Sequence, residues 1–422
     1  MVLKRLLQAL AITSSNGSCP KNNRNTPDDD PDSNLNTKIL GLLTKTEYPF
    51  MDLPFGGTPD FLHRDSLEFG REEMVAQRLD PKIFNIPVEK IRTGWYSDKY
   101  FVRTKEVLER DRRHTRVLMQ VFCRKQAILC GVDEAIAILK LCVVNSENLT
   151  IRALRDGNRV KALETVMTIE GDYSTFAHLE TVYLGVLARG TAVATAVKKV
   201  IDAAAGRPVL FFPARFDHYR VQESDGYAAF IAGAVDVSTD AQGSLWGGKG
   251  IGTIPHGLIA AYNGDTVRAA KAFDKYMPKD ISRMVLVDFD NDCIGSSLAV
   301  ARVLGKRLWG VRFDTASDVR DKSVKGRGKN SYGVSPELCR KARKSFNEAG
   351  FGHVKIIVSS GFNEQRIRNF VKLGVPFDAV GVGSSLFREK IDFTADVVMV
   401  EGKPCAKVGR QYNPNPRLQL VK

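Results

Sequence analysis

Residues able to do chemistry recur in one pattern along this chain: they close short apolar runs. GIGTIPH ends on His256, VLVDFD carries Asp288 and Asp290, and VRFD carries Arg312 and Asp314. VSSGFN holds Ser360 and Gly361, and VGVGSS holds Gly381, Gly383, Ser384 and Ser385. An imidazole is a base or nucleophile near neutral pH, and otherwise a structural hydrogen-bonder. Carboxylates such as Asp288 and Asp290 suit a substrate hydroxyl or a Mg²⁺-bound water, while Asn291 and Asp292 beside them suit helix capping. Arg312 and Asp314 are two residues apart, so on a strand they share a face. A guanidinium fork there matches a carboxylate or phosphate, and Asp314 matches a sugar diol; an internal Arg–Asp pair is the competing role.

Glycine lets a backbone approach a ligand closely, serine donates a hydroxyl, and helix starts attract phosphate. VSSGFN and VGVGSS are therefore candidate phosphate loops, or else ordinary strand-to-helix turns. Two of them at the end of a repeat series is the placement in which barrels hold phosphate. GWYSDKYF (94–101) gathers Trp95, Tyr96, Tyr100 and Phe101 around Asp98, which suits either a planar aromatic ligand or a core cluster.

The elements that must position these groups begin near residue 85. VLMQVF reads as a strand and GVDEAIAILK as an amphipathic helix, and residues 148–207 read as helical. From 208 onward seven apolar runs alternate with helical stretches: PVLFFPAR, GAVDVST, GIGTIPH, MVLVDFD, LWGVRFD, VKIIVSSGF and FDAVGVGSS. Such alternation implies a parallel sheet with helices outside, as a barrel or a doubly wound sheet. Ligands in such folds bind at the carboxyl ends of strands, where the polar residues sit here. VVMVEGKPCAKVGR reads as a strand pair around EGKP that returns to the N-terminal part.

With 422 residues, 43% hydrophobic and 26% charged, the chain suits a folded protein of two or three domains. No run approaches the ~20 apolar residues of a membrane span. The seven cysteines are irregularly spaced without a C-x-x-C pair, which fits a reducing cytosol and neither a disulfide framework nor a cysteine zinc site. MVLKRLLQALAITSSNGSCP is a weak signal-peptide look-alike; residues 1–45 read as a disordered lead, with targeting as its alternative.

The net charge is +14. Such an excess suits nucleic acid or small polyphosphates. Residues 101–130 hold eight Lys/Arg against three acids, and residues 311–344 hold ten against four. No nucleic-acid-binding signature accompanies them. Concentration beside the VRFD strand end favours polyphosphates, with RDKSVKGRGKNSYG as a mobile loop over a diphosphate or a solvated insertion.

Taken in order, SDKYF, PARFDHYRVQESDGYAA, DVSTDAQG, GTIPHGLIAAY, VLVDFDN, VRFDTASD, VSSGFN and VGVGSSL resemble a nicotinate phosphoribosyltransferase of the shorter bacterial and archaeal kind, over roughly residues 85–415. The resemblance implies a type II phosphoribosyltransferase fold: an irregular seven-stranded β/α barrel over 208–390, beside an α/β sandwich built from 81–207 and 391–422, with 1–80 as an undefined extension. It implies homodimers with shared active sites, a cytoplasmic location, and no nucleic-acid or membrane partner. It further implies that nicotinate and phosphoribosyl pyrophosphate (PRPP) yield nicotinate mononucleotide and diphosphate, coupled to ATP hydrolysis, with Mg²⁺ on the polyphosphates.

Roles implied by that resemblance follow residue by residue. His256 matches a transiently phosphorylated histidine, with Asp288 and Asp314 as catalytic acids and Asp314 on the ribose side. Tyr100, Thr253 and Arg312 match nicotinate-side positions. Ser384 matches a 5-phosphate ligand, with Ser360, Gly361, Gly381, Gly383 and Ser385 around it. Arg215, Ser238 and Thr239 match further substrate-binding positions. One departure stands out: the family more often has a second Arg beside the first, whereas Phe216 and Asp217 follow Arg215 here. Quinolinate and nicotinamide phosphoribosyltransferases are the neighbouring readings.

Overall fold

The computed structural model describes residue 71 and residues 77–326, 328 and 331–422. The N-terminal lead, most of the 1–80 extension, and Arg327 and Lys329 of the basic loop lie outside the described residues.

The first sheet is antiparallel. Its strands are β1 (Arg116–Cys123), β3 (Thr150–Ala153), β5 (Thr165–Asp172), β12 (Phe393–Val400), β13 (Lys403–Pro404) and β14 (Gln419–Leu420), ordered β13-β12-β1-β5-β3-β14. The C-terminal strands thus return to the N-terminal part, as the EGKP turn implies: β12 lies against β1 and β14 against β3. Glu401 and Gly402 make that turn with φ of 48° and 73°. A short pair, β2 (Ala127–Ile128) and β4 (Arg159–Val160), stands apart.

Residues 148–172 correct the helical reading of 148–207. They form β3, β4 and β5, and the helix is Glu180–Ala204. TVMTI is β-branched and buried on both faces, and such a run carries no period that separates strand from buried helix.

The second sheet is parallel: β6 (Val209–Phe211), β7 (Asp236–Val237), β8 (Arg283–Leu286), β9 (Leu308–Phe313), β10 (Lys355–Val358) and β11 (Ala379–Val382), ordered β7-β6-β11-β10-β9-β8. Six of the seven expected runs are strands. The seventh, GIGTIPH, makes only isolated parallel bridges, Val237↔Gly250 on one sheet edge and Ile254↔Val285 on the other. Two glycines in five residues explain the loss of a ladder. Since one short segment touches both edges, the sheet is curled.

Helices Thr266–Tyr276, Cys293–Leu304, Pro336–Glu348 and Glu364–Lys372 follow the expected positions. Their apolar faces join the outward side chains Val209, Phe211, Val285, Val311, Phe313, Val358 and Val380 in one core. Inward lies a small plug of Leu210, Met284, Ile357 and Ala379 with Trp309 and Ile251. Helix Glu180–Ala204 belongs to both halves: Tyr183 and Leu187 pack in the antiparallel-sheet core, Val193, Val197 and Val200 in the other. Among the described residues, five cysteines are buried, Cys405 is exposed, and no helix is long and apolar enough to cross a membrane.

Candidate functional site

Strand parity decides which side chains meet. Register aligns Ala379, Ile357, Arg312 and Leu286 across β11, β10, β9 and β8, and Gly381 with Leu210 and Asp236 across β11, β6 and β7. Aligned residues of a parallel sheet share a face. Because Leu210 and Ile357 lie in the inward plug, Arg312, Gly381 and Asp236 point inward too. Two residues further along each strand, Asp314, Ser359, Gly383 and Asp288 follow the same parity at the C-terminal rim.

The rim groups touch. Arg312 donates from Nη1 to Thr253 Oγ1 at 3.2 Å and from Nη2 to Asp314 Oδ2 at 3.4 Å. Its guanidinium lies 5.6 Å from the Phe212 ring centroid, and its Nε is buried with no hydrogen-bond partner among the described residues. The internal Arg–Asp pair weighed from the sequence therefore exists, and one donor is left over. Asp314 also accepts from Ser359 Oγ at 2.6 Å, and that hydroxyl reaches Phe313 O at 3.0 Å.

His256 opens helix His256–Ala261 behind Pro255, whose extended ψ of 161° delivers the imidazole to the rim. Its Nε2 stands 3.0 Å from Asp288 Oδ1. The histidine is half-exposed and Asp288 is 8% exposed. Burial pushes the Asp288 carboxyl up and the Asp314 charge adds to this, while His256 pulls it down.

The two last turns are built for close approach. Ser360 and Gly361 both have φ of 68°, and Asn363 caps helix Glu364–Lys372. A side chain at Gly381 would meet Phe212 at 2.7 Å, and one at Gly383 would meet Phe216 at 2.7 Å. Ser385 Oγ donates to Phe362 O at 2.9 Å, tying the turns together. Ser384 is exposed and, among the described residues, its hydroxyl is free of hydrogen bonds.

Other expected positions have local employment. Ser238 N and Oγ both lie near Gln242 Oε1, and Thr239 Oγ1 caps helix Asp240–Gly243 and reaches Gln222. Arg215 is exposed with its guanidinium 5.3 Å from the Phe216 ring. Tyr100 stands apart from the rim on helix Lys99–Arg110, 60% exposed, its hydroxyl held up by slight burial and the charges of Asp98 and Glu180. Trp95 and Tyr96 are exposed too, so GWYSDKYF is no core cluster; of its four aromatic residues only Phe101 is buried.

Sequence reasoning missed Ser359, Phe212 and Asp236. The inward parity of all three was available from the runs themselves, Phe212 two residues after Leu210 and Ser359 two after Ile357; their partners needed the fold. Among the described residues no group of three metal-ligating side chains forms.

A family model described as quinolinate phosphoribosyl transferase, N-terminal domain, matches residues 98–191. A nicotinate phosphoribosyltransferase of Mycobacterium tuberculosis is 29% identical over 251 residues, 57% of this chain and 52% of the relative. The chain spans about half the length of the curated relatives it matches. The crystal structure of a nicotinate-nucleotide pyrophosphorylase from Pyrococcus furiosus matches with a TM-score of 0.68 and 33% identity, over 80% of this chain and 85% of that one. Human nicotinic acid phosphoribosyltransferase matches with a TM-score of 0.59 at 16% identity, over 75% and 77%, which speaks to fold alone. Sequence kinship with named nicotinate phosphoribosyltransferases, joined to a 33%-identical structural relative matched over most of its length, leads to one conclusion: the chain belongs to the nicotinate phosphoribosyltransferase family of type II phosphoribosyltransferases.

Proposed function

We propose that this protein joins nicotinate to PRPP, giving nicotinate mononucleotide and diphosphate for NAD salvage, with ATP hydrolysis coupled through His256. The observation that carries the reading is the part-buried Arg312, whose buried Nε has no partner among the described residues. A buried donor without an acceptor costs about 1–3 kcal/mol, and a ligand carboxylate removes that cost.

In this reading Arg312, held by Thr253 and Asp314, receives the nicotinate carboxylate and holds the pyridine nitrogen in line with C1 of the ribose. Asp314, oriented by Ser359, accepts from the ribose hydroxyls. The turns at Ser360–Gly361 and Gly383–Ser385 take the 5-phosphate. Diphosphate leaves from a centre of oxocarbenium character, and basic side chains offset the departing charge. Mg²⁺ would travel on the polyphosphates, where it would neutralise oxygens. In this reading the Nε2–H tautomer of His256 donates to Asp288, and the Nδ1 lone pair attacks the γ-phosphorus of ATP as ADP departs. Lys325 serves the diphosphate, a homodimer completes the site with Tyr100, and the protein works in the cytosol.

Quinolinate carries a second carboxylate and calls for a second cation. Among the described residues the inward strand positions carry two cations: Arg312 at the rim, and Lys355 at the opposite end of β10, paired with Asp378. The test is product analysis with nicotinate, nicotinamide or quinolinate, each with PRPP and Mg²⁺, with and without ATP. Nicotinate mononucleotide from nicotinate, enhanced by ATP, is expected. No pyridine mononucleotide in any mixture sinks the reading.

A further inference from the structure

Phe216 and Asp217 follow Arg215 in the loop after β6, and the structure gives both a use. Phe216 packs on Gly383, at 2.7 Å from where a side chain there would begin. Asp217 Oδ2 lies 2.7 Å from Arg189 Nη2. Arg189 comes from helix Glu180–Ala204, between the half that packs with the antiparallel sheet and the half that packs with the barrel-side core.

That one guanidinium has three partners. Nε and Nη2 grip Asp225 in a fork, both at 2.8 Å, on helix Gln222–Ala232. Nη2 also reaches Asp217 in the loop after β6. Its plane lies 4.7 Å from the ring centroid of Phe387, in the turn after β11. Strands β6 and β11 are neighbours, so both loops leave the sheet side by side. Phe387 in turn meets Phe211 of β6 edge-on, with centroids 6.5 Å apart. Asp225 is 3% exposed whereas Asp217 is 35% exposed. The first contact is therefore a fold lock and the second a tether.

We propose that Arg189 is a positioning residue for the phosphate side of the site: through Asp217 it tethers the rim loop that carries Arg215, and through Phe387 it steadies the turn that carries Ser384. This rests on the reaction proposed above. The guanidinium suits the task because its five donors lie in one rigid plane whose face remains free to stack. Lysine in its place would supply one point charge and no plane.

Two variants separate tether from lock. Arg189→Leu strands Asp225 in the core and is expected to fold poorly. Asp217→Ala spares that pair and is the informative variant. Wild type and Asp217→Ala are compared by thermal midpoint, by Michaelis constants for PRPP and nicotinate, and by the rate of trypsin cleavage after Arg215 and Arg220. The expected result is an unchanged midpoint, faster cleavage at those two sites, a PRPP constant raised about three- to fivefold, as suits a part-exposed ion pair, and an unchanged nicotinate constant. An unchanged PRPP constant overturns the proposal, whether or not cleavage quickens. So does a parallel rise of both constants with a lowered midpoint, which marks simple destabilisation. Wild type that makes no product sinks the reaction itself, an outcome the trypsin comparison cannot produce.

Discussion

His256 Nε2 stands 3.0 Å from Asp288 Oδ1, with the carboxylate 8% exposed beneath a half-exposed ring. The buried partner fixes the half-exposed ring. His256→Ala is expected to abolish the stimulation by ATP while a slow, ATP-independent synthesis persists. Asp288→Asn keeps the shape and removes the charge, so it should weaken the coupling without erasing it. Product formation with and without ATP checks both, and full coupling in the alanine variant contradicts the role given to His256.

Arg312 is held on two sides, by Thr253 and Asp314, and its Nε is spare. Lysine keeps the charge and loses the fork. Arg312→Lys should raise the Michaelis constant for nicotinate by about tenfold, roughly 1.4 kcal/mol, and leave that for PRPP nearly unchanged. Initial-rate kinetics with each substrate varied in turn read the split.

The rim was legible because chemistry-bearing residues close apolar runs, and that pattern survives translation into β8, β9, β10 and β11. The strand pair around EGKP and its return were legible for the same reason: a turn signal between alternating residues. What failed did so where period carries no information. Thr165–Asp172 is buried on both faces and reads equally as helix. GIGTIPH looked like a strand but has too much glycine to hold a ladder. Long-range partners were invisible: nothing around Arg189 announces Asp217 or Phe387, because those contacts span the fold.

Gly381 offers a steric test. A methyl group there would lie 2.7 Å from Phe212 and 3.4 Å from Ser359 Cβ. Phe212 stacks beside Arg312 and Ser359 holds Asp314, so the intrusion strikes both supports at once. Gly381→Ala should lower stability by about 1–3 kcal/mol, as overpacking does, and raise the nicotinate constant. A variant with native thermal midpoint and native kinetics would show that the turn yields without disturbing Phe212.

Asp236 faces inward beside Leu210, over the apolar plug, and among the described residues no hydrogen bond or ion pair serves its carboxyl. Burial alone pushes it up to about 7. The folded chain therefore holds a proton that the unfolded chain, with an ordinary carboxyl near 3.8, has released. Stability must fall as pH rises from about 4 to about 7, and the loss is complete above 7. An amide has the shape of the protonated acid and does not ionise. Asp236→Asn should accordingly leave the thermal midpoint unchanged at pH 4 and raise it at pH 8, by several degrees if most of the burial cost is recovered. Thermal unfolding of both proteins across pH 4–8 decides the matter: parallel curves would mean that Asp236 is already ionised, or solvated, inside the sheet.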